Sequence, residues 1–427
     1  MDARHLAFEV LKRVEAGGRS DAELGVALAR ERMSPEDRAL ATRIVYGVVA
    51  WQLRLDHTIA AYADRRIERI DTDTLLALRI GAYQLLLLDR VPGYAAVDRS
   101  VGLLSGAARR SAGFANAILR RVARDGAAPL PSDENEADSI ELSHPLWLLR
   151  LWVRELGRSD ANALMRANNE PAPSALRCLA PREAVLADLA ARGVRAAPAR
   201  YAPDALVAEG TAALPGLVVP QSEASQLVTL LLGACVGERV LDACAAPGGK
   251  TAYLASLVGP AGSVTAVDPR RSATRRIEAL LGLAGVRARV VAARIQDLAV
   301  DQPYDAVLVD APCSGLGTLR EHPEIRWRRS EADLTRYAMQ QDEILAAASR
   351  HVRPGGRLVY ATCTLTRAEN DDVVDRFLDR NRDFAAHPPA TVHPAVLPLI
   401  DERCRMRTSP HRHGLAGFFA ARLVRCA

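Results

Sequence analysis

From Arg4 to about Arg124, apolar residues recur at three- and four-residue spacing, in LAFEVLKRV, RALATRIVYGVVAWQL and DTLLALRIGAYQLLLL. That period matches the turn of an α-helix and gives each helix one stripe to bury, so it predicts an all-helical domain. Residues 125–137, DGAAPLPSDENEA, mix Gly, Pro and acidic residues without a period and read as a linker. Between Ser139 and about Val219, two helical stretches (HPLWLLRLWVREL, DANALMRANN) precede a strand-like SALRCLA, a helix-like REAVLADLAARG and a Pro-rich return. This is the pattern of a small α+β module. From Gly237 short apolar strands alternate with amphipathic helices: RVLDA, KTAYLASLV, SVTAVD, SATRRIEALLGL, RARVVAA, YDAVLVDA, LTRYAMQQDEILAAASRHV and GRLVYAT. Such alternation predicts a doubly wound α/β domain. The expected organisation is therefore an all-α domain over 1–126, an α+β module over 138–232 and a doubly wound, Rossmann-like α/β domain over 233–427.

Composition sharpens this picture in three places. With 49% apolar and 25% charged residues, the 427-residue chain has the balance of a folded globular protein, not a fibrous or disordered one. Its start, MDARHLAFEV, carries charges where a signal peptide needs an apolar run, and the dense stretch Leu85 to Leu88 is too short to cross a bilayer. A cytoplasmic protein without a membrane partner is expected, with a monomer as its expected state. The seven cysteines are scattered and never form C-x-x-C, which argues against a disulfide framework or a zinc site, so no metal is expected. A net charge of +5 permits an RNA partner without demanding one, and most of the excess falls in residues 1–130, where twenty basic residues face sixteen acidic ones. Only Lys12 and Lys250 are lysines among the 56 basic residues. A lysine that persists against such a bias toward arginine points to a need for a compact ammonium at position 250.

In a doubly wound sheet, ligands bind at the carboxyl ends of the strands, near the point where strand order reverses. The first strand ends in DACAAPGGKT (residues 242–251), where small residues and two glycines let the backbone approach a nucleoside before a helix begins. Cys244 stands where a P-loop needs glycine, and G-x-G-x-x-G is absent, which disfavours ATP and the dinucleotides. The second strand ends at Asp268, an acid placed to accept hydrogen bonds from ribose hydroxyls. Loop and acid together suit S-adenosylmethionine, which has no phosphate needing a cation.

The fourth strand ends in DAPCSG (Asp310 to Gly315) and the fifth in ATCTL (Ala361 to Leu365), so Cys313 and Cys363 are expected to share a pocket beside the cofactor's reactive end. Cys178, Cys235 and Cys426 read instead as small hydrophobes. Two thiols beside a methyl donor suit methylation at carbon 5 of cytosine. That carbon is a poor nucleophile until a thiolate adds at carbon 6. An acid at N3 stabilises the charge that develops, a task for which Asp310 is well placed, and a second cysteine can assist departure of the first. The residues alone leave open which cysteine attacks.

AAPGGKT, DAPCSG and the T-C-T run closely resemble the Nol1/Nop2/Sun family of RNA 5-methylcytosine methyltransferases. The likeness covers roughly residues 140–427 and includes PQSEASQLV, HPEIRW, Glu369-Asn370 and GFFAARL. The N-terminal helices look NusB-like, and this combination resembles bacterial Sun-type enzymes that modify 16S ribosomal RNA. The resemblance implies that Cys363 attacks the base and Cys313 helps release the product. It places the cofactor against Cys244, Ala245, Ala246, Pro247, Gly248, Gly249 and Lys250, with Asp268 and Asp310, and leaves Lys250 to orient either the cofactor or Asp310. It implies 16S RNA or an early small-subunit particle as substrate; the alternatives are another RNA such as tRNA, or a non-catalytic assembly role. Two positions depart from the family: Arg294 stands where an acid near the adenine is usual, making Asp297 the substitute, and Ala416 replaces the acid before GFF. For RNA, Arg326, Trp327, Arg328 and Arg329 form the expected contact cluster, the plainer reading being a helix start with a buried Trp.

Overall fold

A computed structural model describes residues 2–208, 216–386 and 392–426. The chain divides into two compact units, Met1–Pro171 with Leu319–Arg329, and Ala172–Thr318 with Ser330–Ala427.

The first unit is helical, as the apolar period predicts. Helices Ala3–Glu15, Pro35–Ala50, Thr72–Leu87 and Ala112–Asp125 bury Leu6, Val10, Leu11, Ile44, Val48, Leu76, Ile80 and Leu119 in one core. Asp2, Ser34 and Asp71 cap three of these helices by accepting from the backbone N–H of His5, Asp37 and Thr74, which satisfies donors that the first turn leaves without partners. Helix Thr72–Leu87 packs closely through glycine: a Cβ on Gly81 would lie 2.6 Å from Leu119 side-chain carbons. The 125–137 linker ends sooner than its composition suggests, because Asp133 caps a further helix, Glu134–Glu141, whose acids favour the positive end of its dipole. Helices Leu146–Leu156 and Arg158–Asn169, expected in the α+β module, group with this unit.

The segment Leu319–Arg329 also belongs here, and it corrects the expected RNA cluster. Arg326 is wholly buried, and its guanidinium donates to the carbonyls of Ser143 (3.0 Å), Ala50 (3.3 Å) and Asn168 (3.4 Å) and to Asn169 Oδ1 (2.7 Å). Burial pushes it down to about 9. Trp327 packs on the helical core and donates Nε1–H to the Val49 carbonyl at 2.7 Å. The guanidinium of Arg328 is spent on the carbonyls of Val14, Gly17 and Gly18, and Arg329, half-buried, ends the segment. A guanidinium carries five donors and so suits carbonyl groups converging at chain ends as well as it suits phosphates, a choice that sequence cannot resolve. Arg326→Ala is expected to destabilise this unit by about 3 kcal/mol, since it leaves several buried carbonyls without a donor. Arg326→Lys should restore little, because an ammonium cannot span that set. Denaturant unfolding checks both.

The second unit carries two sheets. Strands β1 (Ser174–Cys178), β2 (Ala196–Pro198), β3 (Ala205–Ala208) and β4 (Val218–Pro220) form an antiparallel sheet in the order β2-β3-β1-β4. Helix Arg182–Ala191 packs on it through Val185 and Leu189. The larger sheet comprises β5 (Arg239–Asp242), β6 (Ser263–Val267), β7 (Arg289–Val291), β8 (Tyr304–Asp310), β9 (Val352–Thr362), β10 (Phe384–Ala386), β11 (Arg405–Thr408) and β12 (Phe418–Arg425). Its order is β10-β12-β9-β8-β5-β6-β7, with β11 paired to β12. Strands β5 to β9 run parallel, and β12 returns antiparallel to β9. Strand order reverses at β5 and β8, so the ligand crevice opens at Asp242 and Asp310.

Candidate active site

After β5, residues 243–248 turn into helix Gly249–Val258. Gly248 has φ +113°, and a Cβ there would sit 3.0 Å from Ile277 Cα, so only glycine allows this turn. Asp242 is fully buried; one oxygen accepts from Thr251 Oγ1 at 2.7 Å, while Oδ1 has no hydrogen-bond partner among the described residues. Burial pushes this carboxyl up to about 6. An orphaned acceptor in a small-residue loop fits a ligand bearing a cationic or N–H donor group. Cys244 lies inside that loop, and burial together with Asp242, Asp310 and Asp268 pushes its thiol far up, which keeps it protonated and inert.

Asp268, 4% exposed at the end of β6, accepts from the Arg270 backbone N–H at 3.0 Å and meets the Arg270 guanidinium at 3.3 Å. Asp297 closes a short 3-10 turn, Ile295–Asp297, after β7, and both it and Arg294 are exposed. At the end of β8, Asp310 Oδ2 pairs with Lys250 Nζ at 2.6 Å, their side chains only 23% and 11% exposed. Lys250 also lies 5.3 Å from the Phe418 ring, on β12. The persistent lysine thus meets the acid at the strand-order reversal. Nothing in the sequence linked Phe418 to this pair, because β12 reaches it from more than 100 residues away.

Cys313 and Cys363, 50 residues apart, place their sulfurs 3.2 Å from each other. Parallel pairing of β8 with β9, Asp310 opposite Ala361, delivers the two following loops side by side. The hydrogen bond to Cys363 and burial together push the Cys313 thiol well above its ordinary range. At that distance either sulfur can donate to the other. Close backbone packing holds this arrangement: Gly317 N–H donates to the Cys363 carbonyl (3.0 Å), Gly417 N–H donates to the Gly317 carbonyl (2.7 Å), and a Cβ on Gly317 would fall 1.9 Å from Gly417 O. Ala416, where an acid was expected, takes part through its carbonyl, which accepts from Thr408 Oγ1 at 2.6 Å.

A parallel sheet with a small-residue loop after β5, an acid after β6 and an acid–lysine pair at the reversal point defines a Rossmann-like methyltransferase. Comparison with known proteins agrees. Residues 229–424 match the family described as 16S rRNA methyltransferase RsmB/F, residues 1–124 the NusB family, and residues 144–214 the RsmF/B-like ferredoxin-like domain. The probable ribosomal RNA small subunit methyltransferase B of Bacillus subtilis is 32% identical, with 97% of each chain covered. Ribosomal RNA small subunit methyltransferase B of Pseudomonas putida is 32% identical over 89% of each. Among solved structures, PH0851 superposes with a TM-score of 0.83 at 25% identity over 99% of both chains. A methyltransferase homologue from Pyrococcus horikoshii gives 0.59 at 25% identity, covering 69% of this chain and 100% of its own. The chain belongs to the RsmB/F family of ribosomal RNA methyltransferases and uses S-adenosylmethionine. Among the described residues no helix is long and apolar enough to cross a membrane.

Proposed function

We propose that this protein methylates carbon 5 of a cytosine in 16S ribosomal RNA through a covalent adduct between Cys363 and carbon 6. The observation that carries this reading is the pair of thiols 3.2 Å apart on the loops after β8 and β9, with the Asp310–Lys250 pair at the end of β8. Bound S-adenosylmethionine supplies the electrophilic methyl group, and Asp242, Asp268, Asp310 and the 244–250 loop are the residues to hold it, with Asp297 at the adenine end. Acids suit a ligand that carries a sulfonium and an ammonium.

Cys363 gives up its proton to solvent and, as a thiolate, bonds through its sulfur to carbon 6 of the base. That addition pushes electron density onto carbon 5, to which the bound cofactor would give its methyl with S-adenosylhomocysteine as the leaving group, and Asp310 holds a proton against N3, replenished from Lys250 across 2.6 Å. Loss of the carbon 5 proton to solvent then re-forms the double bond and expels the Cys363 sulfur. Cys313 stabilises that departing sulfur by donating to it.

Because Arg326 is buried, a further set of exposed arginines is the better candidate for the RNA surface. Arg271, Arg275 and Arg276 on helix Arg271–Ala284, with Arg287, Arg289 and Arg294 around β7, are all exposed, and none of the six makes an ion pair among the described residues. They border the edge of the sheet that carries Asp268. Exchanging Arg271, Arg275 and Arg276 for Gln should raise KM for RNA and cut the slope of log affinity against log salt by up to about 2, at roughly 0.7 per single-strand phosphate contact. An unchanged slope would remove this face from the interface.

Residues 1–126 are assigned a contact with RNA or with an assembling small-subunit particle, and the enzyme is read as a cytoplasmic monomer. The test is bisulfite sequencing of initially unmodified ribosomal and transfer RNA after incubation with protein and S-adenosylmethionine. One newly protected cytosine in 16S RNA is expected. Protection only in another RNA would overturn the substrate, and none in naked RNA or in small-subunit particles would overturn the chemistry.

A further inference from the structure

The loops bearing the two cysteines are gripped from beneath by adjacent, fully buried polar residues whose role the chemistry above does not use. Glu369, 0% exposed, accepts through Oε2 from the Ser314 backbone N–H (2.8 Å) and Gln341 Nε2 (3.1 Å), and through Oε1 from Ser314 Oγ (2.5 Å) and Thr366 Oγ1 (3.0 Å). Gln341 also donates to the Pro312 carbonyl at 2.9 Å. Cys313 is thus held on both sides, at the Pro312 carbonyl and the Ser314 amide. Asn370, 1% exposed, treats Cys363 in the same way: its Oδ1 accepts from Thr362 Oγ1 (2.5 Å) and its Nδ2 donates to the Thr364 carbonyl (3.0 Å). Ser314 Oγ and Thr364 Oγ1, 2.8 Å apart, join the two halves.

Burying a carboxylate and an amide inside a fold is costly unless every acceptor and donor is used, and here the partners converge on the neighbours of the two thiols. A purely structural anchor would need only one of these loops. We infer that Glu369 and Asn370 are positioning residues with separate duties: Glu369 sets Cys313 for release, and Asn370 sets Cys363 for attack. This rests on the two-cysteine reading above.

The duties separate in experiment. Glu369→Gln puts an amide donor where Ser314, Gln341 and Thr366 all donate, so the Cys313 loop loses its grip while Asn370 stays. Its expected signature is that of a release defect: kcat lowered by about 100-fold, the loss that a displacement near 1 Å brings, with the covalent protein–RNA species accumulating and KM for RNA little changed. Asn370→Ala frees Cys363 instead, so capture of RNA containing 5-fluorocytosine should slow by a similar factor with no accumulation on ordinary RNA. Ser314→Ala keeps the amide and loses only the hydroxyl, giving a milder variant whose adduct fraction should still rise several-fold if Glu369→Gln fails to fold. Identical defects in the Glu369 and Asn370 variants, or an unaltered partition between adduct and product in Glu369→Gln and Ser314→Ala, would overturn the inference. Capture by Cys363→Ala would instead sink the two-cysteine reading on which it rests.

Discussion

Cys363→Ala is expected to abolish both methyl transfer and covalent capture of RNA containing 5-fluorocytosine, whereas Cys313→Ala should still capture RNA and then stall as a stable protein–RNA adduct. The asymmetry follows from the shared proton. In the roles that the family resemblance assigns, Cys313, half-buried with its thiol pushed well up, keeps a proton that it can donate to the Cys363 sulfur 3.2 Å away. Cys363 attacks as its thiolate, the nucleophilic form. A donating thiol is poorly suited to attack but well suited to steady negative charge on a sulfur that is leaving. Removing the donor slows departure, which depends on charge returning to sulfur, more than it slows addition. Gel analysis of the adduct and single-turnover methylation decide the matter, and exchanged phenotypes would reverse the two roles.

Much of this site was legible before any coordinates, because it is built from strand ends. Short apolar runs alternating with amphipathic stretches of period 3.6 located β5, β6, β8 and β9, and the residues after them had to meet at the carboxyl edge of the sheet. That reasoning brought Cys313 to Cys363, since a 50-residue separation becomes one strand spacing once β8 and β9 pair, whereas the sequence left open whether Lys250 turns to Asp310 or to the cofactor. The ordering of the cysteines is not legible from the residues and comes from the family resemblance, because in a contact 3.2 Å long either sulfur can be the donor. Phe418 and Gly417 were invisible as partners for the same reason that β10, β11 and β12 were: antiparallel returns can come from any later part of the chain.

Arg326 shows the opposite failure. In a chain whose basic residues are almost all arginine, a basic run beside a tryptophan looks like a phosphate contact. Its guanidinium instead satisfies backbone carbonyls in a buried position. The exposed arginines of helix Arg271–Ala284 passed unremarked because the same bias scatters arginine everywhere. The burial of Arg326 and the carbonyls that take its donors set it apart from the exposed arginines of that helix, and neither is a property of sequence.

Lys250 gives the second large expected effect. Lys250→Met should lower kcat by about 100-fold or more, within the range that loss of proton transfer in a transition state produces, and Asp310→Asn should do at least as much. The decisive variant is Lys250→Arg. If Lys250 supplies only positive charge to Asp310, arginine should keep most of the rate, since it holds a charge at all accessible pH. If it supplies the proton that Asp310 passes toward N3, arginine should fail almost as badly as methionine, because a guanidinium does not give up its proton in a protein. The geometry favours the second outcome: one oxygen of Asp310 is 2.6 Å from the ammonium, and the pair is largely buried. A chain that has replaced nearly every lysine with arginine, yet keeps one here, is accounted for if this position must release a proton. Full activity of Lys250→Arg, measured with S-adenosylmethionine and RNA both saturating, would reduce the residue to a counter-ion.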